Sequence, residues 1–257
     1  MIELLGGLFG LLIGSFLNVC IHRWPRDLSV VRPRSACPDC SAPIAWYDNV
    51  PLLSYLVLRG RCRGCGARIS WRYPVVEVLT ALCFAFFIHR YGPIAQYWAA
   101  AKYCCLAAIL IALAFSDLET LLLPDELTIG GLVLGLGFAL VVPVRDPVFG
   151  FGPFAEAVLG AVLCSGLLWF VGWFFEKVRH KEGLGFGDVK MLAMVGAFLG
   201  VQGSILTVIV GSVAGSVVGL LYIRLTGKDA GSYQLPFGTF LAAAALVVAL
   251  RQGLAQR

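Results

Sequence analysis

Hydrophobic positions in this chain come in long unbroken runs, not in alternation. Five stretches are apolar for about 17 residues or more, enough for a helix to cross the hydrocarbon layer, and shorter runs interrupted by glycine lie among them. Continuous runs argue against a membrane β-barrel, whose strands alternate apolar and polar positions. The pattern predicts an all-α polytopic membrane protein with eight transmembrane helices. They fall over 2–19, 74–90, 95–115, 126–143, 154–175, 189–201, 203–223 and 235–250, the sixth being short for a full span. The one sizeable polar segment runs from Cys20 to Tyr73. The expected organisation is a first helix (1–19), a small zinc-ribbon-like loop domain (20–73) and a polytopic helical domain (74–257). The first run lacks a basic flank before it and a small-residue cleavage site after it, so it reads as a retained helix and not as a signal peptide.

Composition agrees: 59% of the 257 residues are hydrophobic and 14% charged, where soluble domains carry about a quarter charged residues. Mean hydropathy is +0.85. Charge then sets the direction. If the N-terminus is outside, the inside segments hold the nine arginines from Arg23 to Arg72 together with Lys177, Arg179, Lys181, Lys190, Arg224 and Lys228. Only Arg90, Lys102, Arg145, Arg251 and Arg257 lie outside, so 15 of the 20 basic residues are cytoplasmic, as the positive-inside rule requires. The net charge of +5 is accounted for by anionic membrane lipid and needs no nucleic acid. Oligomeric state is not encoded in any pattern of this kind.

The loop holds Cys37-Pro-Asp-Cys40 and Cys62-Arg-Gly-Cys65, separated by 21 residues. Two such pairs supply the four thiolates of a tetrahedral zinc shell. Disulfides are the alternative, which a cytoplasmic face disfavours. A loop this small buries little apolar surface, so a metal staple is useful to it. A closed Cys-four shell leaves no open coordination position, so the zinc is expected to be structural. Arg61, Arg63 and Arg68 stand beside the second pair to temper its charge. The other five cysteines lie in or beside apolar runs and read as small hydrophobes.

Two aspartates sit at the edges of apolar runs on the same, cytoplasmic, side: Asp117 in Phe-Ser-Asp-Leu-Glu and Asp188 in Gly-Phe-Gly-Asp-Val-Lys. Carboxylates there are costly, and a close pair can share one proton and activate water against a peptide bond. The plain reading of Asp188 is a helix cap, and that of Asp117 a surface carboxylate such as Glu119 or Asp125. The glycines before Asp188 suggest a backbone that something must approach closely. Spacing alone does not choose between Asp117 and Asp125. The four-residue spacing of Gly211, Gly215 and Gly219 predicts a helix-packing face.

Several stretches together resemble the type IV prepilin peptidases, members of the GxGD class of intramembrane aspartyl proteases. They are Gly14-Ser-Phe-Leu-Asn-Val-Cys-Ile-His-Arg23-Trp-Pro25, both Cys pairs, Arg72-Tyr-Pro-Val-Val-Glu77, Asp117 with Leu123-Pro124-Asp125, Gly185-Phe-Gly-Asp188-Val-Lys190 and Pro236-Phe-Gly238. The resemblance covers nearly the whole chain, although Val142 to Pro153 is a few residues longer than the family pattern. It implies that Asp117 and Asp188 are the catalytic pair. It also implies prepilin and pseudopilin substrates cut at the cytoplasmic face of the bacterial inner membrane. Members with the long Cys-four loop are implied to be bifunctional, methylating the new N-terminus with S-adenosylmethionine. Asn18, Arg23 and Glu77, in the family-like stretches at the loop's two ends, are the candidates for holding that methyl donor or the amine; no glycine-rich dinucleotide fold is encoded. Competing classes are a peptidase alone with the loop as a substrate-docking module, a non-enzymatic module docking a partner, and a proton-coupled transporter. A transporter would favour acids near the bilayer midplane.

Overall fold

The computed structural model describes residues 2–92, 96–144, 147–179, 185–226 and 235–254. Ala95, where one predicted span begins, and Arg145, Lys181, Lys228 and Arg257 of the charge pattern lie outside them. The described residues form eight α-helices: α1 (Ile2–Arg23), α2 (Leu53–Val57), α3 (Arg72–Tyr91), α4 (Tyr97–Thr120), α5 (Asp125–Ala139), α6 (Pro153–Arg179), α7 (Phe186–Thr226) and α8 (Phe237–Leu254).

Six of these helices, α1, α3, α4, α6, α7 and α8, are long and apolar enough to cross a membrane. The chain is a multi-pass membrane protein, but the predicted eight spans are corrected. The run predicted over 126–143 is helical only as α5, 15 residues long. Those predicted over 189–201 and 203–223 are two halves of the 41-residue α7, broken at Gly200 (φ 74°, ψ −175°). That conformation is open essentially to glycine alone, and the break falls beside the boundary expected between residues 201 and 203.

The chain divides into two compact units, Met1–Ala100 and Ala101–Arg257. In the first, α1 lies along α3. Gly6, Gly10 and Gly14 form its contact face. A Cβ on Gly10 would stand 2.7 Å from the Cα of Ala81, and one on Gly14 2.7 Å from the Cα of Glu77. Between helices in lipid the hydrophobic effect drives little, and close backbone packing with interhelical hydrogen bonds takes its place. Asn18, one turn beyond Gly14, supplies such a bond: its Nδ2 donates to the Gly14 carbonyl at 3.2 Å and to the Tyr73 carbonyl at 3.1 Å.

In the second unit α7 is the central element, packed against α5, α6 and α8. The α6–α7 crossing is closest at Gly160 and Gly196, where a Cβ on Gly160 would lie 2.6 Å from the Gly196 carbonyl oxygen. The Gly211, Gly215 and Gly219 face meets Leu241, Phe240 and Leu235, the packing role its spacing predicts. Glu156, at the start of α6, is buried, and its carboxylate accepts the backbone N–H groups of Val148, Phe149 and Gly150, which orders the turn leading into the helix.

Candidate active site and metal centre

The four loop cysteines converge. Sulfurs of Cys37, Cys40, Cys62 and Cys65 all lie within 4.8 Å of one another, and those of Cys37 and Cys65 are 3.8 Å apart. A tetrahedron of thiolates about 2.3 Å from zinc has edges of roughly 3.8 Å, so the donor set fits that ion. Local backbone builds it twice over. The Cys37 N–H donates to the Ala42 carbonyl and the Ser41 N–H to the Cys37 carbonyl; 25 positions on, Cys62 N–H donates to Ala67 and Gly66 N–H to Cys62. Ser41 and Gly66 both turn the chain at positive φ, 57° and 73°. Two equivalent knuckles, each contributing two thiols, thus face each other across one point.

Backbone donors also condition the sulfurs. The N–H groups of Cys65 and Gly64, with the neighbouring thiols, bring the Cys62 thiol down to about 7. At Cys65 the Ala67 N–H favours the thiolate, but burial and the competing thiols push it up to about 12. Of the arginines expected to temper this charge, Arg63 is engaged elsewhere. Its guanidinium grips both oxygens of Asp48, at 2.8 and 2.6 Å, and holds that carboxyl below its ordinary value. The pair ties the single-turn helix Trp46–Asn49 to the second knuckle.

The loop's base is clamped by the three residues singled out at its ends. Glu77 is buried on α3, and its Oε2 accepts the Leu52 N–H at 2.8 Å. Arg23 donates to the carbonyls of Ser29 and Pro33, both at 2.8 Å. Asn18 reaches Tyr73, as above, while its Oδ1 is buried with no hydrogen-bond partner. Asn18 and Glu77 come from the facing helices α1 and α3; Arg23 is turned to the loop backbone.

In the second unit, Asp117 and Asp188 come from distant parts of the chain. Asp117 lies in the last turn of α4, which runs past the predicted end of its span to Thr120. Its carbonyl accepts the N–H of Leu121 at 2.9 Å, whose left-handed backbone (φ 55°) ends the helix. Asp188 is the third residue of α7, because the helix begins at Phe186; it stands inside the first turn and not ahead of it. Both carboxylates are buried, Asp117 at 5% and Asp188 at 8% exposure. Leu123 joins their surroundings: a Cβ on Gly187 would lie 3.1 Å from its Cβ, and one on Gly238 3.0 Å from its Cδ1. The small residue beside Asp188 is therefore required by internal packing, whatever else approaches it. Asp125 is exposed and bonded to Lys190 Nζ at 2.7 and 2.9 Å, a surface ion pair outside this buried group.

Sequence reading missed one partner of the pair. Thr239, on α8, donates its backbone N–H to Asp117 Oδ2 at 2.6 Å and its hydroxyl to the same oxygen at 2.9 Å. Its neighbour Gly238 would, with a Cβ, stand 3.1 Å from Asp117 Oδ2. The motif Pro236-Phe-Gly238 was the available signal, one residue away.

Comparison with known proteins matches two stretches of the chain. The family model "Bacterial Peptidase A24 N-terminal domain" matches residues 8–91, and "Type IV leader peptidase family" matches 104–220. The chain belongs to the type IV leader peptidase family. Among curated proteins, a "Prepilin leader peptidase/N-methyltransferase" of Aeromonas salmonicida (strain A449) is 39% identical over 95% of this chain and 88% of its own length. A protein of the same name from Pseudomonas aeruginosa is 37% identical over 95% and 88%. Another, from Myxococcus xanthus, is 44% identical over 85% of this chain; that match spans 62% of the relative's length. No solved structure matches. The chain is thus a membrane peptidase by family.

Proposed function

We propose that Asp117 and Asp188 form the aspartyl dyad of a prepilin leader peptidase that cuts prepilins and pseudopilins at the cytoplasmic face of the bacterial inner membrane. Two buried carboxylates, at the end of α4 and the start of α7, both lie beside the residues that pack on Leu123, and this arrangement carries the reading. A basic leader stays in the cytoplasm while the apolar pilin helix enters lipid, which brings the scissile bond to this edge. The ionised carboxylate takes a proton from water as the water oxygen bonds to the scissile carbonyl carbon. The protonated one gives its proton to the carbonyl oxygen; the C–N bond then breaks and the amine leaves with a proton. Asp117→Asn and Asp188→Asn enzyme, purified and given a prepilin, is expected to be folded and to cleave nothing. Cleavage by either variant would remove the dyad.

The loop cysteines are proposed to hold one structural zinc, which would staple the two knuckles. The printed name of the relatives also supports a second activity on the freed amine, with S-adenosylmethionine supplying the methyl group from its sulfonium. Asn18 and Glu77 are proposed for that step. Asn18 Oδ1 is buried without a partner, a polar atom suited to a ligand donor, and Glu77 is a carboxylate able to take the proton the amine loses. Arg23, bonded to two loop carbonyls, supports the loop. Loss of S-adenosylhomocysteine binding in Glu77→Gln, with zinc content intact, tests the assignment. Unchanged binding and methylation would leave both residues as clamps of the loop and the chain's methyl-donor site elsewhere.

A further inference from the structure

The geometry points to Thr239 as a positioning residue that holds Asp117 as the ionised, water-activating member of the dyad and so leaves the shared proton to Asp188. This rests on the dyad proposed above and assigns the two roles within it.

Both donors of Thr239 fall on one oxygen, Asp117 Oδ2. The backbone N–H belongs to the first turn of α8, which begins at Phe237, so it has no acceptor within its own helix. That helix end also presents the positive pole of its dipole. The hydroxyl lies 3.1 Å from the Ala114 carbonyl as well, which seats the side chain across the turn of α4 that carries Asp117. A hydrogen-bond donor aimed at a carboxylate stabilises the charged form, and such charge-assisted bonds are among the stronger ones. Oδ1 of Asp117 is the oxygen left to take a proton from water.

Asp188 is placed oppositely. Its Oδ1 is buried without a hydrogen-bond partner. A charge left there undonated costs far more than a neutral carboxyl. The nearest cation along its own helix, Lys190, is turned to Asp125 on α5. Asp117 is the neighbouring acid: Leu123 lies against both Gly187, beside Asp188, and Gly238, which abuts Asp117. One shared proton therefore resides on Asp188, which serves as the acid toward the scissile carbonyl.

The test compares full-length Thr239→Val, Thr239→Ser and wild-type enzyme on a prepilin, with Asp117→Asn and Asp188→Asn alongside. Zinc content and thermal melting report folding. Valine keeps the shape and the backbone donor but removes the hydroxyl donor. We expect kcat to fall about tenfold or more with KM little changed, and the acid limb of the rate–pH profile to move to higher pH. Serine is expected to restore most of the rate and the wild-type profile. A wild-type profile in the valine variant would overturn the assignment. So would equal losses in serine and valine with an unmoved profile, which would mark a packing role. If the asparagine variants cleave, the dyad itself is wrong; if they are dead while valine behaves as wild type, only the role of Thr239 fails.

Discussion

Lys190 Nζ sits 2.7 and 2.9 Å from the two carboxylate oxygens of Asp125, so the start of α5 is tied to the start of α7 two residues beyond Asp188. Asp125 is more than half exposed, and such pairs contribute at most about 1 kcal/mol. Lys190→Met is therefore expected to leave the melting temperature nearly unchanged. It is expected to lower kcat several-fold by loosening the turn that carries Asp188. Equal kcat in the two proteins would show that the tie is incidental.

The four loop thiols make a separate prediction. Each single Cys→Ser change among Cys37, Cys40, Cys62 and Cys65 is expected to lower bound zinc from one ion per chain to well below one, measured by elemental analysis of purified protein. Replacing Cys83 or Cys164, both buried within helices, is expected to leave zinc unchanged.

The thiol environments differ in sign, which gives a pH-dependent readout in chelator-treated protein. Cys62 is brought down to about 7 by the Cys65 and Gly64 N–H groups, so its thiolate is populated above that pH and lost as pH falls through it. Cys65, pushed up to about 12, stays a thiol across the same range although it is the more exposed of the two. Iodoacetamide at pH 7 should thus alkylate Cys62 before Cys65, read by peptide mass spectrometry, and the preference should fade below pH 6. The reverse order would contradict the hydrogen-bond account.

The α1–α3 contact is expected to be intolerant of volume. Gly14→Val would put its Cβ near 2.7 Å from the Glu77 Cα, against backbone that cannot rotate away. Overpacking of this kind costs about 1–3 kcal/mol or more. It would separate Asn18 from Tyr73 and Glu77 from Leu52. Lower yield, a reduced melting temperature and lost methylation are expected, whereas Gly130→Ala, where a Cβ meets nothing within 4 Å, should be neutral.

Most of the helices, the thiol knuckles and the family were readable in the chain, each from a local signal. Apolar run length marks a span, and Cys-x-x-Cys spacing marks a knuckle. The boundary expected between 201 and 203 falls beside the Gly200 break, but span number was not readable, because the run over 126–143 gives only the 15-residue α5. Nor was the use of Arg63. Its partner Asp48 lies 15 residues away, and charge proximity along the chain had paired it with the thiolates instead.

What the sequence determined by itself is the membrane class, the paired cysteines and a short set of candidate acids, since all three follow from composition and spacing along one dimension. Choosing among the acids needed the resemblance to a family. The tertiary structure alone decided how each acid is solvated. Thr239 is 122 residues from Asp117, and only the approach of the α8 N-terminus to the end of α4 turns its two donors onto one oxygen. The unpartnered Asp188 oxygen is likewise a product of packing. Hydrogen-bond geometry between remote segments has no periodicity to betray it, yet it is what separates a charged carboxylate from a protonated one.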